Sequence, residues 1–194
     1  MIDYKTYDLL KEKYGHVSSW TVWKEVGDRP KSNTGDMSIF DDENICNILN
    51  DKYVFVGLNV SNTHGIQEQL PWKNFHSSYK DQQDFKLRYA LMNTKFWGSY
   101  ITDIIKEYSE VYSKKVKQYL KKHPEVLNKN IEIFKDELKI LTEDTPILIA
   151  LGDDSYDILK KNLSGEYEIV KIKHYSYRNL NKEEYRKEVL DVLK

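Results

Sequence analysis

The stretch Tyr53-Val-Phe-Val-Gly57 constrains this chain most, because a run of apolar residues leads straight into a glycine and then small polar side chains. Asn50-Asp51-Lys52 bounds the run on one side and Gly57 on the other. That pattern predicts a strand covered on both faces, as in the sheet of an α/β protein. Ligands collect at the carboxyl ends of such strands, which makes Asn59, Ser61, Asn62 and His64 candidates for chemistry. The plain alternative is an ordinary strand followed by a polar loop, and the stretch alone leaves both open.

The rest of the chain supplies the elements such a sheet needs. Residues 3–14 read as a helix stopped by Gly15, and the alternation in Ser18-Ser-Trp-Thr-Val-Trp23 suggests a short strand or extended segment. Residues 28–42 are rich in loop formers, and Ile45, Ile48 and Leu49 have helical spacing. A long connection over 65–84 precedes a helix over 84–92, a strand over 100–105 and a polar helix over 107–123. Ile131, Phe134, Leu138 and Leu141 mark an amphipathic helix, and Pro146–Leu151 a buried strand. Another helix follows Gly152, another strand starts at Ile169, and Asn181-Lys-Glu-Glu184 has the form of a cap for a last helix. Strands alternating with helices imply βαβ units. The expected fold is therefore α/β, a three-layer α/β/α sandwich with a central, mainly parallel sheet of about four strands. The 194 residues suit a single domain over 1–194, with 1–50 as a helical and loop extension packed on it.

Composition narrows the function. The net charge is −1 and the pI about 6.5, so any contact with nucleic acid must come from a local patch. Ser113–His123 carries five lysines and no acid, which makes Lys114, Lys115 and Lys117 either a DNA-contacting stripe or a solvated helix face. The single cysteine, Cys46, excludes an intrachain disulfide and a four-cysteine iron–sulfur cluster, and its apolar helical setting argues against a nucleophile. His64 and His76 across a loop are weak support for a metal site. No run approaches the ~18 apolar residues of a spanning helix, and Met-Ile-Asp-Tyr-Lys lacks a signal peptide's features, so a cytoplasmic protein is expected.

A second strand end changes the reading of the first. Ile169-Val-Lys-Ile-Lys-His-Tyr-Ser176 closes in His-x-Ser, complementary to Gly57-Leu-Asn59-Val. The pair resembles the uracil-DNA glycosylase superfamily, whose first motif is Gly-x-Asn/Asp-Pro after one strand and whose second, often His-Pro-Ser, follows the last. Phe96–Lys106, Phe134–Leu138 and Pro146–Gly152 are similar to its middle strand, connecting helix and third strand, in the same order. The similarity covers about residues 50 to 178, and Asn in the first motif is nearest to the mismatch-specific branch.

The resemblance implies an enzyme that flips out and hydrolyses off a uracil-type or otherwise deaminated base. DNA would be the partner and a free nucleobase the product, with no cofactor, no metal and a monomeric chain. By position, Asn59 would orient the attacking water and His174 would stabilise charge on the departing base. Ser176 would grip a backbone phosphate, and Arg178 falls where a wedge fills the hole left by the flipped base. Gly57, Leu58 and Ser61 would line the base pocket, and Phe75 would stack on the base; Phe75 reads equally as a core plug beneath its loop, beside Trp72 and His76. Val60 and Tyr175 stand where the two motifs usually have proline. Ser61 stands where strict uracil enzymes place a tyrosine, which leaves room for bulkier bases. The competing reading is a nucleobase- or nucleic-acid-binding module on the same scaffold that cleaves nothing.

Overall fold

The computed structural model describes residues 2–61, 70–79 and 81–194. Among them are α1 (Tyr4–Tyr14), β1 (Ser18–Trp20), β2 (Asn50–Asn59), α2 (Asp84–Leu91), β3 (Ser99–Ile105) and α3 (Ser113–Lys122). They are followed by α4 (Pro124–Leu141), β4 (Ile147–Leu151), α5 (Asp153–Leu163), β5 (Ile169–Ile172) and α6 (Lys182–Val192). The strands form one sheet in the order β1-β3-β2-β4-β5. Four of them are parallel, with Val54 opposite both Tyr100 and Leu148, and Leu151 opposite Ile172.

The fifth strand corrects the expectation of about four. β1 closes one edge antiparallel to β3, with Ser18 opposite Thr102 and Trp20 opposite Tyr100. Its three residues are all buried, and they open the alternating stretch Ser18–Trp23, which reads as a short strand or extended segment. The first fifty residues thus contribute to the sheet itself and are not only a helical and loop extension.

Period-two alternation divides the core into two layers. Val54, Val56, Tyr100, Ile104, Leu148 and Ala150 pack against α1, α3, α4 and α5. Phe55, Ile101, Ile149 and Leu151 pack against α2, α6 and Trp23. Crossover handedness accounts for this sorting. The chain steps from β2 to β3 in one direction and from β3 past β2 to β4 in the other, so right-handed crossovers place α2 on one face and α4 on the opposite face. The step from β4 to β5 continues the second direction, and α5 joins α4. The reversal makes the carboxyl ends of β2 and β4 the switch point, where α/β sheets leave a crevice.

Two helix boundaries differ from the sequence reading. The helix expected over 107–123 begins only at Ser113. Before it, the Lys106 and Glu107 N–H groups donate to Asn130 Oδ1 at 2.7 and 3.3 Å, so that backbone is satisfied without a helix. α4 starts well ahead of the apolar repeat that announced it, with Pro124 in the first turn, where its missing N–H costs nothing. The cap at Asn181 forms as expected: Asn181 Oδ1 accepts from the Glu184 N–H, and Glu184 accepts from the Asn181 N–H, both at 2.9 Å. Among the described residues, no helix is long and apolar enough to cross a membrane.

Candidate functional site

Gly57 sits on β2 beside Asp103 of β3. A β-carbon on Gly57 would overlap Asp103 Oδ1 and lie 3.5 Å from the Phe75 ring, so only glycine admits both groups here. Asp103 is 3 % exposed. Its Oδ2 accepts from Asn74 Nδ2 at 2.9 Å, and no described group donates to Oδ1. Burial pushes its pKa up to about 7, against the opposing pull of Asn74 and Lys106. At neutral pH this carboxyl therefore exists in both protonation states.

β5 delivers the other half of the site. His174 is half-buried and stacks on Tyr175, ring centroids 4.3 Å apart. Its Nδ1 accepts from the Ser176 N–H at 3.1 Å and lies 2.7 Å from Ser176 Oγ. A backbone N–H aimed at Nδ1 requires that nitrogen to be unprotonated, so the neutral ring carries its proton on Nε2. Desolvation lowers the pKa to about 4, in line with that tautomer. Gly152, with φ 91°, lets the end of β4 pass beneath: its β-carbon position is 3.4 Å from His174 Cβ.

Tyr175 links the two halves. It is buried, and its hydroxyl lies against Asp84 at the start of α2, within the influence of Asp103 as well. Asp84 Oδ2 also accepts from the Ser77 N–H at 2.6 Å, while burial pushes the Asp84 pKa up to about 6. Tyr175 thus touches His174 and Asp84 and feels the charge of Asp103, which itself borders Gly57 beside the Phe75 ring.

The remaining expected residues take varied positions. Asn59 Nδ2 donates to the carbonyls of Val60, Tyr108 and Glu110 at 3.2, 3.4 and 2.8 Å, tying the end of β2 to the segment before α3. Its Oδ1 has no hydrogen bond to a described group. Leu58 is half-buried and packs into the α4-side core, on the other face from Phe75. Ser61 is exposed just past β2. Ser176 Oγ is engaged with His174, and Arg178 is exposed. Of the lysines, Lys117 pairs with Asp154 at 2.7 Å and Lys115 with Glu110 at 3.6 Å; Lys114 is exposed. Lys115 thus meets an acid from the segment just before α3 and Lys117 one from α5, which shrinks the basic stripe that α3 shows when read alone.

The connection before α2 holds two bulky residues in left-handed backbone, Trp72 at φ 67° and Phe75 at φ 66°. Such a conformation costs roughly 1–2 kcal/mol per residue, so tertiary packing must hold it. Trp72 is fully buried against Tyr7 and Trp20 and donates through Nε1 to the Tyr7 hydroxyl at 2.9 Å. His76 is also core, with Nε2 2.8 Å from the Val22 carbonyl and its ring stacked on Trp23. Phe75 is 7 % exposed: its ring belongs to the α2-side core and borders Gly57 at the same time. Asn62 and His64 lie outside the described residues. No group of three His, Cys, Asp or Glu able to hold a metal occurs among the described residues.

Sequence reasoning missed Asp103, Asp84, Asn74 and Tyr175. Asp103 did leave a signal: an acid inside the otherwise buried strand Ser-Tyr-Ile-Thr-Asp-Ile-Ile needs a reason to be there. Lys86 was missed too; 4 % exposed on α2, it donates to the carbonyls of Tyr177 and Leu180 at 2.9 and 2.7 Å, holding the turn after His174. In comparisons with known proteins, no protein-family model, no curated protein and no solved structure matches the chain.

Proposed function

We propose that this protein is a DNA glycosylase-like enzyme that binds an extruded base at the switch point and hydrolyses its N-glycosidic bond. The observation that carries the reading is the convergence of Gly57, Asp103 and Phe75 with a neutral His174 through Tyr175. Gly57 lets Asp103 and the Phe75 ring sit directly on the strand backbone. Asp103, able to donate or accept near neutral pH, complements a base edge that presents N–H beside C=O. His174 Nε2–H is the donor for charge developing on the departing base, and Asn59 Oδ1 is the acceptor for a water. In the reaction that water attacks C1′, the C1′–N bond breaks with its electron pair going to the base, and the base leaves as an anion that then takes a proton. With Ser61 where the resemblance to the uracil-DNA glycosylase superfamily places a tyrosine, the pocket favours a broad range of deaminated bases.

One observation favours a second reading, a nucleobase-binding protein without cleavage. The Asn59 amide nitrogen is committed to three carbonyls, a structural duty that needs no catalysis. Oligonucleotides each carrying one modified base, incubated with the protein and treated with alkali, separate the two. Strand scission at uracil, hypoxanthine or xanthine is expected. Calorimetric binding of the free bases without scission on any substrate would establish the second reading and end the first.

A further inference from the structure

A cavity of about 340 Å³ opens between the turn at residues 26–30, the outer side of α2 and the first turn of α6. Phe85, Arg88 and Tyr89 wall it from α2, Lys182 from α6, and Asp28 and Arg29 from the turn. None of these residues belongs to the cluster around Gly57 and His174, and the proposed function uses none of them.

Arg88 is the unusual member. It is 1 % exposed. Nη1 donates to the Lys24 carbonyl at 3.2 Å and Nη2 to the Pro30 carbonyl at 2.8 Å, while Nε has no acceptor. Two of the five guanidinium N–H groups are thus spent on the turn, and Nε–H is left without a partner among the described residues. Burial lowers its pKa, and no carboxylate acts on it to offset that shift. A buried cation without a counter-charge is unfavourable, and an anion in the adjoining cavity would relieve it.

The neighbours add to the positive field. Lys182 Nζ lies 4.0 Å from the Tyr89 ring centroid and pairs with Glu183 at 2.8 Å, and Arg29 is exposed on the turn. Arg186 also faces the Tyr89 ring, its guanidinium 5.6 Å from the centroid, and donates to the carbonyls of Tyr89, Ala90 and Met92. Asp28 is the one carboxylate among the lining residues, against the three cations Arg29, Arg88 and Lys182.

We propose that this cavity binds a small phosphomonoester, with Arg88 receiving the phosphate and Lys182 and Arg29 closing around it. A guanidinium fork matches phosphate oxygens, and a dianion answers the excess of cations better than a carboxylate does. The volume exceeds that of orthophosphate and leaves room for a sugar-sized remainder, within the range of small-molecule pockets.

Calorimetric titration of the full chain with ribose 5-phosphate, inorganic phosphate and a single-stranded oligonucleotide tests this. Ribose 5-phosphate should bind about tenfold more tightly than inorganic phosphate, and Lys182→Ala and Arg29→Ala should each weaken it by about tenfold. The oligonucleotide should not compete. Both substitutions are at the surface, so the test holds even where Arg88→Lys fails to fold. No binding of ribose 5-phosphate up to about 10 mM, where even weak millimolar affinity would register, overturns the proposal. So does an affinity unchanged in both variants, or competition by the oligonucleotide, which would assign the cations to a nucleic-acid backbone. Base excision enters none of these measurements, so the outcome is independent of the proposed activity.

Discussion

Asp103 loses its water on folding and gets back one hydrogen bond, from Asn74, which is why its carboxyl holds its proton to about pH 7. The consequence for stability has a definite sign. In the unfolded chain an aspartate ionises near 3.8, so between 3.8 and 7 the native state holds a proton that the unfolded state has released. The stability Asp103 contributes is complete below that window and is lost as pH rises through it. Asp103→Asn removes the titration while keeping the shape and the contact with Asn74. Urea unfolding at pH 5 and pH 8 should show the variant gaining about 2 kcal/mol over wild type between the two, an order-of-magnitude figure set by the raised pKa. Equal differences at both values would mean that Asp103 is ionised in the native state. His174 runs the other way, since its lowered pKa makes the native state lose stability as pH falls from 6.5 towards 4. At this scale the sequence was legible at His174, just past the end of β5, whereas Gly57 and Asn50-Asp51-Lys52, read as the bounds of a strand, lie inside β2. It was opaque where one side chain does two jobs: Asp84 opens a helix and also meets Tyr175, a contact made across ninety residues of chain that no local pattern encodes.

Helices and strands followed the apolar repeats where one face met solvent and the other met the sheet, as α4 does from Ile131 to Leu141. The repeats were poorer guides to boundaries. The alternation over 18–23 ran past the end of β1 at Trp20, and Val126 and Leu127 in the first turns of α4 lie ahead of the repeat that starts at Ile131, so neither boundary was readable. Charge was the least legible property, because an ion pair joins residues that only folding brings together. Lys115 and Lys117 are exposed while their partners Glu110 and Asp154 are partly covered, and a pair with one end in solvent is worth ~0–1 kcal/mol. Against a phosphate backbone such weak pairs would yield. Replacing Lys114, Lys115 and Lys117 by Ala should therefore reduce the salt dependence of oligonucleotide binding by roughly one counterion per lost phosphate contact. An unchanged slope in filter binding over a salt series would assign this face of α3 to solvent. The clamp from α2 offers a separate check. Lys86→Met leaves the Tyr177 and Leu180 carbonyls without their donor, so amide exchange in the turn after His174 should quicken by about tenfold while exchange in the sheet stays unchanged. Uniform exchange across variant and wild type would show that the turn holds itself.

The whole molecule is organised by one reversal of direction in the sheet. Because the chain goes from β2 to β3 and then back past β2 to β4, the ends of β2 and β4 face a crevice, and β5 brings His174 beside it. The alternation of strands and helices made this architecture readable. The buried carboxyls that furnish it came only with the third dimension. The central claim is that this crevice excises a base with His174 as the stabilising donor. Its most direct test is the single-turnover rate of abasic-site formation in an oligonucleotide carrying one uracil, wild type against His174→Ala. Loss of one preorganised donor should slow the step by about a hundredfold or more, with an unchanged thermal midpoint for unfolding. A variant within a few-fold of the wild-type rate, or a wild type that forms no abasic sites on uracil or deaminated purines, would contradict the account.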